Sequence, residues 1–237
     1  VTDASNPNPL TNGIPNVQIS AFDASGNYVG VGRTAADGTY SSNGLLPGGV
    51  YRVLTHARNL AYIGQWYPSD PCQGDPNGVG AIPVDISSGN ATGIDFALTP
   101  GQTISGRVTD ASNPNPLTNG IPNVQVEAYD VFGNDVWCGG ATDATGHYLT
   151  LALIPGTYKV QAEANNQEGY SSLWYPNVPS QHNPAGMGAT QIDVGSGSAT
   201  ITLNFALAPV HAISGTVKDS TGHGIPNVVV NAFDVFG

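Results

Sequence analysis

Five histidines, two cysteines and seventeen carboxylates are the side chains of this 237-residue sequence that could hold a metal or move a proton. The histidines stand at His56, His147, His182, His211 and His223. No His-x-x-x-His or Cys-x-x-Cys spacing gathers ligands on one element, so no zinc site and no cofactor is expected. No Gly-x-Ser-x-Gly elbow lifts a serine into a nucleophile's position, and Gly195-Ser196-Gly197-Ser198 reads as a turn. Asp3 and Asp110 lie in Asp/Asn-rich loops that could offer oxygens to calcium. The regular carboxylate spacing of a calcium loop is missing, and a solvated loop is the preferred reading. An intramolecular isopeptide bond requires a lysine, and residues 1–100 contain none. Lys159 is matched there by Arg52 and falls on the polar face of its strand. What remains is two cysteines, Cys72 and Cys138, and two aromatic pairs, Trp66-Tyr67 and Trp174-Tyr175. None of this is an enzyme's inventory.

The elements that carry these residues are repeated. Residues 1–19 read VTDASNPNPLTNGIPNVQI and residues 108–126 read VTDASNPNPLTNGIPNVQV, so only Ile19 and Val126 differ. A third copy begins at Val217 as VKDSTGHGIPNVVV. Gln65-Trp66-Tyr67-Pro68 returns as Leu173-Trp174-Tyr175-Pro176, Phe96-Ala97-Leu98 as Phe205-Ala206-Leu207, and Ile104-Ser105-Gly106 as Ile213-Ser214-Gly215. A period just above one hundred residues suits one whole domain per repeat. Three units are expected: 1–100 (without the start of its first strand), 101–209 (complete) and 210–237 (a truncated start).

Composition narrows the class. Charged residues make up 10% of the chain, against about 25% in ordinary globular proteins, so Asn, Ser, Thr and Gly must cover the surface. A net charge of −11 repels nucleic acid and anionic lipid, which excludes both as expected partners. No apolar run approaches the roughly 20 residues of a membrane span, so no insertion is expected in this window.

In the second repeat apolar and polar residues alternate in short runs broken by Gly, Pro, Asn and Asp. The clearest run is Ala199, Ile201, Leu203, Phe205 and Leu207 with polar residues between. Seven strands are predicted: Thr103–Thr109, Val124–Asp130, Val136–Thr142, Tyr148–Ala152, Tyr158–Ala164, Thr190–Val194 and Ala199–Leu207. Phe132-Gly133-Asn134, Ala144-Thr145-Gly146 and Pro155-Gly156 supply turns. No segment has helical periodicity with caps. The expected fold is all-β: tandem seven-stranded sandwiches joined end to end.

Thr142-Asp143-x-x-Gly146-x-Tyr148 followed by Leu153-x-Pro155-Gly156-x-Tyr158-x-Val160 resembles the carboxypeptidase regulatory-like domain. The first repeat carries a looser version, Asp37-Gly38-x-Tyr40 and then Leu46-Pro47-Gly48, with one extra residue before Tyr51. The resemblance implies an immunoglobulin-like or transthyretin-like sandwich akin to the B-type repeats of collagen adhesins. It also implies a place among large secreted bacterial surface proteins. It implies no shared active site, because such domains serve as spacers, stalks and adhesive modules.

Seven antiparallel crossings bring the chain in at one pole of a domain and out at the other, here called leading and trailing. Only five residues (Thr99–Thr103, or Ala208–Ala212) separate successive domains, and each linker holds a proline, which predicts a stiff end-to-end joint. The Asp110–Asn123 loop and the Trp174-Tyr175-Pro176 segment then lie at the trailing pole, and Phe132–Asn134, Pro155-Gly156 and Gly195–Ser198 at the leading pole. By the same parity Cys72 and Cys138 meet at one joint, which predicts an inter-domain disulfide in an oxidising exterior. Free thiols, or pairing to another chain, are the alternatives. The pairs Trp66-Tyr67 and Trp174-Tyr175 either plug the trailing pole against the next domain or a neighbouring chain, or stand exposed to stack on sugars. Asn90-Ala91-Thr92 is a glycosylation sequon without a counterpart in the second repeat.

An extracellular or cell-surface structural protein is therefore expected, a stalk or filament whose partners are neighbouring repeats or copies of itself. An adhesin or carbohydrate-binding spacer of a larger secreted protein, with glycans as partners, is the alternative. The chain opens inside a strand and closes within a third copy. Either the array continues on both sides, or incomplete ends complete one another between subunits.

Overall fold

The computed structural model describes residues 1–232 except 72, 74, 76, 165–168, 182 and 212. Among the described residues every regular element is a strand, and the all-β class holds. In the second repeat one sheet runs in the order Gly140–Ala141, Gln125–Tyr129, Gly156–Glu163, Leu173–Trp174, Val178–Pro179, with Ile192–Val194 also on Gly156–Glu163. The facing sheet places Thr103–Asp110 between His147–Leu149, which is antiparallel to it, and Thr200–Thr202 and Phe205–Leu207, which are parallel. The first repeat builds its larger sheet in the same order: Tyr28–Arg33, Gln18–Phe22, Val50–His56, Gln65–Trp66, Asp70–Pro71, with Val84–Asp85 on Val50–His56. Its second sheet has only Thr2–Asp3 beside Ala97–Leu98.

Alternation explains the core. Val126 and Ala128 point inward from one sheet, Ile104 and Val108 from the other, and Val160, Phe205 and Leu207 close the layer, all at 1% exposure or less. Each of these valine, isoleucine, leucine and phenylalanine side chains contributes about 1.5–3 kcal/mol by leaving water. Val17, Ile19, Phe96 and Leu98 do the same in the first repeat. Among the described residues no sheet and neither of these two core clusters mixes residues of the two repeats.

Short polar side chains make the turns. Asp130 Oδ1 accepts from the amides of Phe132 and Asn134 at 2.9 Å each, and Asp23 repeats the arrangement with Ser25 and Asn27. Asp143 accepts from the Thr145 amide and hydroxyl, as Asp37 does from Thr39. These carboxylates substitute for backbone acceptors that a tight turn cannot supply.

Three strands differ from the alternation pattern. Val136–Thr142 pairs as a strand only over Gly140–Ala141, because Trp137 adopts a left-handed φ of 59° and Asp135 caps its amide at 2.7 Å. Beyond that kink the Cys138 carbonyl accepts from the Leu151 amide instead. Ala199–Leu207 splits at Leu203-Asn204, where Asn204 Oδ1 takes the Arg107 amide in place of a main-chain acceptor. The Trp-Tyr-Pro segment, read as loop, contains the small hairpin Leu173–Trp174 with Val178–Pro179.

Candidate functional site: the joint between repeats

The linker is paired on both sides. Ile63 donates its amide to Thr99 O and Gly101 to Ala61 O, both at 2.9 Å, which ties residues 99–101 to a loop of the first repeat. One residue further, Gln102 O accepts from the Leu153 amide at 2.8 Å, and Gln102 Oε1 from the Gly195 amide at 2.9 Å. Gly101 has no room for a side chain: a Cβ would sit 2.7 Å from Ile63 and 2.8 Å from the Leu153 carbonyl oxygen. The two repeats therefore approach to backbone contact across this one residue.

Gln73 is the second tie. It reaches from the loop after Asp70–Pro71 into the second repeat, where its Oε1 accepts from the Ile154 amide at 2.8 Å. Its Nε2 donates to Tyr158 Oη at 2.6 Å, and Tyr158 in turn donates to Ile154 O at 2.7 Å. Burial at this contact raises the Tyr158 phenol above its ordinary pKa. A cavity of about 490 Å³ lies beside the joint between Arg58, Asn59 and the Gly140–Leu151 face. The residues brought together come from the Trp-Tyr-Pro loop of one repeat and from turns around Ile154 and Gly195 of the next. Gln73 escaped the sequence reading. The available signal was its recurrence as Gln181, seven residues after Trp174 as Gln73 is after Trp66.

Cys138 is 1% exposed, with Sγ 3.9 Å from Gln73 Oε1. Cys72, its predicted partner, lies outside the described residues.

The aromatic pairs need correction. Trp66 and Trp174 are 2% and 0% exposed, each packed within its own repeat. Trp66 packs on Phe22 at 5.2 Å between ring centroids, and Trp174 on Tyr129 at 4.9 Å. Each indole donates to a carbonyl of its own loop, Asp75 at 2.8 Å and Asn183 at 2.9 Å, so the loop folds back over the ring. Tyr67 and Tyr175 sit edge-on against Phe96 and Phe205 in their own cores. A ring buried by its own loop offers no platform for a sugar. Asn90 is exposed.

Asp3 and Asp110 are spent within their loops. Asp110 accepts from the Ser112 hydroxyl and amide and from Tyr170 Oη, and these bonds, Ser112's first, hold its carboxyl below the usual range. Among the described residues no group of three or more His, Cys, Asp or Glu is placed to hold a metal ion. His147 and His223 bond to Thr145 and Thr221, His56 is half-buried in Val50–His56, His211 is exposed, and His182 lies outside the described residues. No helix among the described residues is long and apolar enough to cross a membrane.

What fold and joint define is a tandem all-β protein with closely tied repeats. No protein-family model and no curated protein matches the chain, so the resemblance to carboxypeptidase regulatory-like domains rests on its residues alone. Among solved structures it is similar to the TIE protein of Bacillus anthracis (14% identity, TM-score 0.33, 86% of this chain and 32% of that one). It is also similar to GBS52, the minor pilin of Streptococcus agalactiae (15%, 0.28, 87% and 88%). A third likeness is to a C-terminal fragment of the pilus adhesin SpaC from Lactobacillus rhamnosus GG (12%, 0.28, 84% and 91%). The chain thus spans about a third of the TIE protein's length. Likenesses this loose carry no argument about function.

Proposed function

We propose that this chain is an extracellular structural protein, a stalk or filament of sandwich repeats held end to end, and not an enzyme. The observation that carries the reading is the joint. A linker bonded to both repeats and a glutamine bonded into the neighbour suit a rigid connection better than a flexible tether. The repeats divide as 1–100, 101–209 and 210–237, and the carboxylates of Asp23, Asp37, Asp130 and Asp143 serve turns. A disulfide between Cys72 and Cys138 would lock the same joint. The contact of Gln73, the residue next to Cys72, with Cys138 supports it.

Immuno-electron microscopy of surface material from the source cells tests the function. Long uniform filaments carrying the chain are expected, and its absence from any such material would sink the reading. Gln73→Ala should loosen the joint by about 1–3 kcal/mol, the cost of a buried hydrogen-bonding group left without its partner. Small-angle scattering would then broaden from one inter-repeat arrangement to many. Non-reducing peptide mapping should recover the Cys72 and Cys138 peptides as one linked species, and two separate thiol peptides would remove the disulfide.

A further inference from the structure

Four basic side chains are committed to main-chain carbonyls of their own repeat. Arg33 donates to Asn16 O, Arg52 to Asn77 O, Arg107 to Thr145 O and Lys159 to Ala185 O. Arg58 is different. It is exposed, and among the described residues no hydrogen bond or ion pair holds its guanidinium. It lines the cavity of about 490 Å³ beside the joint, a volume in the range of small-ligand sites. Asn59 of the first repeat lines the cavity with it, and Asp143, His147, Leu149 and Leu151 of the second repeat form the other side.

The hydrogen bonds of the second repeat fix what that side offers. Asp143 Oδ1 is spent on the Thr145 amide, the Thr145 hydroxyl and the His147 amide, at 2.8, 2.7 and 3.0 Å. Its Oδ2 has no such partner among the described residues. The Thr145 hydroxyl has one proton and gives it to Asp143, so towards His147 Nδ1, 2.8 Å away, it accepts. That sets the tautomer: Nδ1 carries the proton, and Nε2 of the neutral ring is a bare acceptor. Arg58 and Asp143 thus line one cavity without forming an ion pair, donors on the first repeat's side and acceptors on the second's. The half-buried Leu149 and Leu151 add apolar surface. An aromatic adjoins them. Trp137 is 55% exposed, unlike Trp66 and Trp174, and the carbonyl of its neighbour Cys138 accepts from the Leu151 amide.

We infer that this cavity is a saccharide site, and that its ligand is a sugar unit bearing a carboxylate, of the hexuronate class. The carboxylate takes the Arg58 guanidinium, whose planar fork matches it. Ring hydroxyls donate to Asp143 Oδ2 and His147 Nε2. The C–H face of the ring lies on Leu149 and Leu151, and Trp137 offers a stacking face to an adjoining unit. Both ends of the ligand are needed. A neutral sugar leaves Arg58 without an anion, and a bare carboxylate leaves Asp143 and His147 without donors. The two sides of the site come from different repeats, so the tied linker and Gln73 also hold the site together. The inference goes beyond the structural function proposed above and uses only the geometry of the joint.

Glycan-array binding by the 237-residue chain is the test, followed by calorimetric titration with a galacturonate trimer, a glucuronate-containing trimer and the neutral trimer cellotriose. An acidic trimer should bind and cellotriose should not. Arg58→Ala should weaken binding roughly tenfold or more, the effect of losing a charge-assisted contact, with unchanged thermal unfolding because the side chain is exposed and unbonded. Asp143→Asn keeps the oxygen that caps the turn and replaces only Oδ2, and should weaken binding several-fold. Absence of binding to every acidic oligosaccharide overturns the inference, as does Arg58→Ala binding like the parent. Equal affinity for a short polyglutamate peptide overturns it too, since the cavity would then read the carboxylate alone. Filament membership, read by immuno-electron microscopy, is decided independently of all these results.

Discussion

Two versions of the same half-sheet can be compared within this molecule. In the second repeat His147–Leu149 and Thr200–Thr202 are strands, held on either side of Thr103–Asp110. In the first repeat their counterparts Thr39–Ser41 and Ala91–Gly93 are not strands, although Tyr40 and Ile94 make the same bridge as Tyr148 and Leu203. The larger sheets show no such contrast, because Gln18–Phe22 and Gln125–Tyr129 each have both partners. A strand at these positions is thus conferred by its neighbour rather than by local propensity. The third copy extends the series: Val217, Ile225 and Val228 are 38%, 44% and 46% exposed, while Val108, Ile121 and Val124 at the matching positions are 3% or less.

The comparison breaks most readily at its glycine. Gly106→Val drives a Cβ into the Leu203 carbonyl and should cost the second repeat about 3 kcal/mol, an overpacking penalty at the upper end of the usual range. Calorimetry should show that repeat's transition falling while the first repeat's stays. Equal losses in both repeats would mean that the two half-sheets are one cooperative unit.

A smaller effect separates the two tyrosines. Tyr148→Phe removes a buried hydrogen bond to Leu203 O and should destabilise the second repeat by about 1 kcal/mol. Tyr40→Phe should cost clearly less, since water reaches the half-buried Ile94. Identical costs by chemical denaturation would say that the two carbonyls are equally shielded from water.

The smallest expected effect is in pH, and its sign differs between repeats. Burial, and secondarily Arg58, pushes His56 down to about 4, and its Nδ1 is buried without a hydrogen-bond partner among the described residues. The unfolded chain takes up a proton near 6.5 that the folded first repeat refuses, so stability falls from about pH 6.5 to pH 4 and is level below. In the second repeat burial, then Asp135 and Glu163, raises Glu127 to about 7. The folded carboxyl keeps a proton that the unfolded chain releases near 4.5, so stability is full below pH 4.5 and declines towards pH 7. Tyr129, bonded to Glu163 Oε1 at 2.5 Å, is a further titratable neighbour of that cluster among the described residues. Hydrogen exchange read separately for each repeat should give opposite slopes between pH 4.5 and 6.5, and parallel slopes would refute both assignments.

Much of the fold was legible because its signals are local. Alternation located the strand at Thr103–Asp110, and the turn chemistry of Asp130 and Asp143 lies within four residues of each aspartate. Pattern failed where a distant side chain replaced a main-chain partner, as Asn204 does for Arg107, or where one residue took a left-handed φ, as Trp137 does. It failed again at Trp66 and Trp174. Amphipathic aromatics read equally well as a plug, a sugar platform or a core, and only the loop folded over them decides.

The sequence by itself determined that the chain is all-β, that it repeats, and that it holds no His-x-x-x-His or Cys-x-x-Cys spacing and no Gly-x-Ser-x-Gly elbow, because composition, period and spacing are properties of the string. Tertiary structure alone decided that Gln73 is bonded into the neighbouring repeat and that the indoles are interior. The physical reason is the same in each case: a hydrogen bond or a buried face exists only when its partner is present, and the partner is tens of residues away.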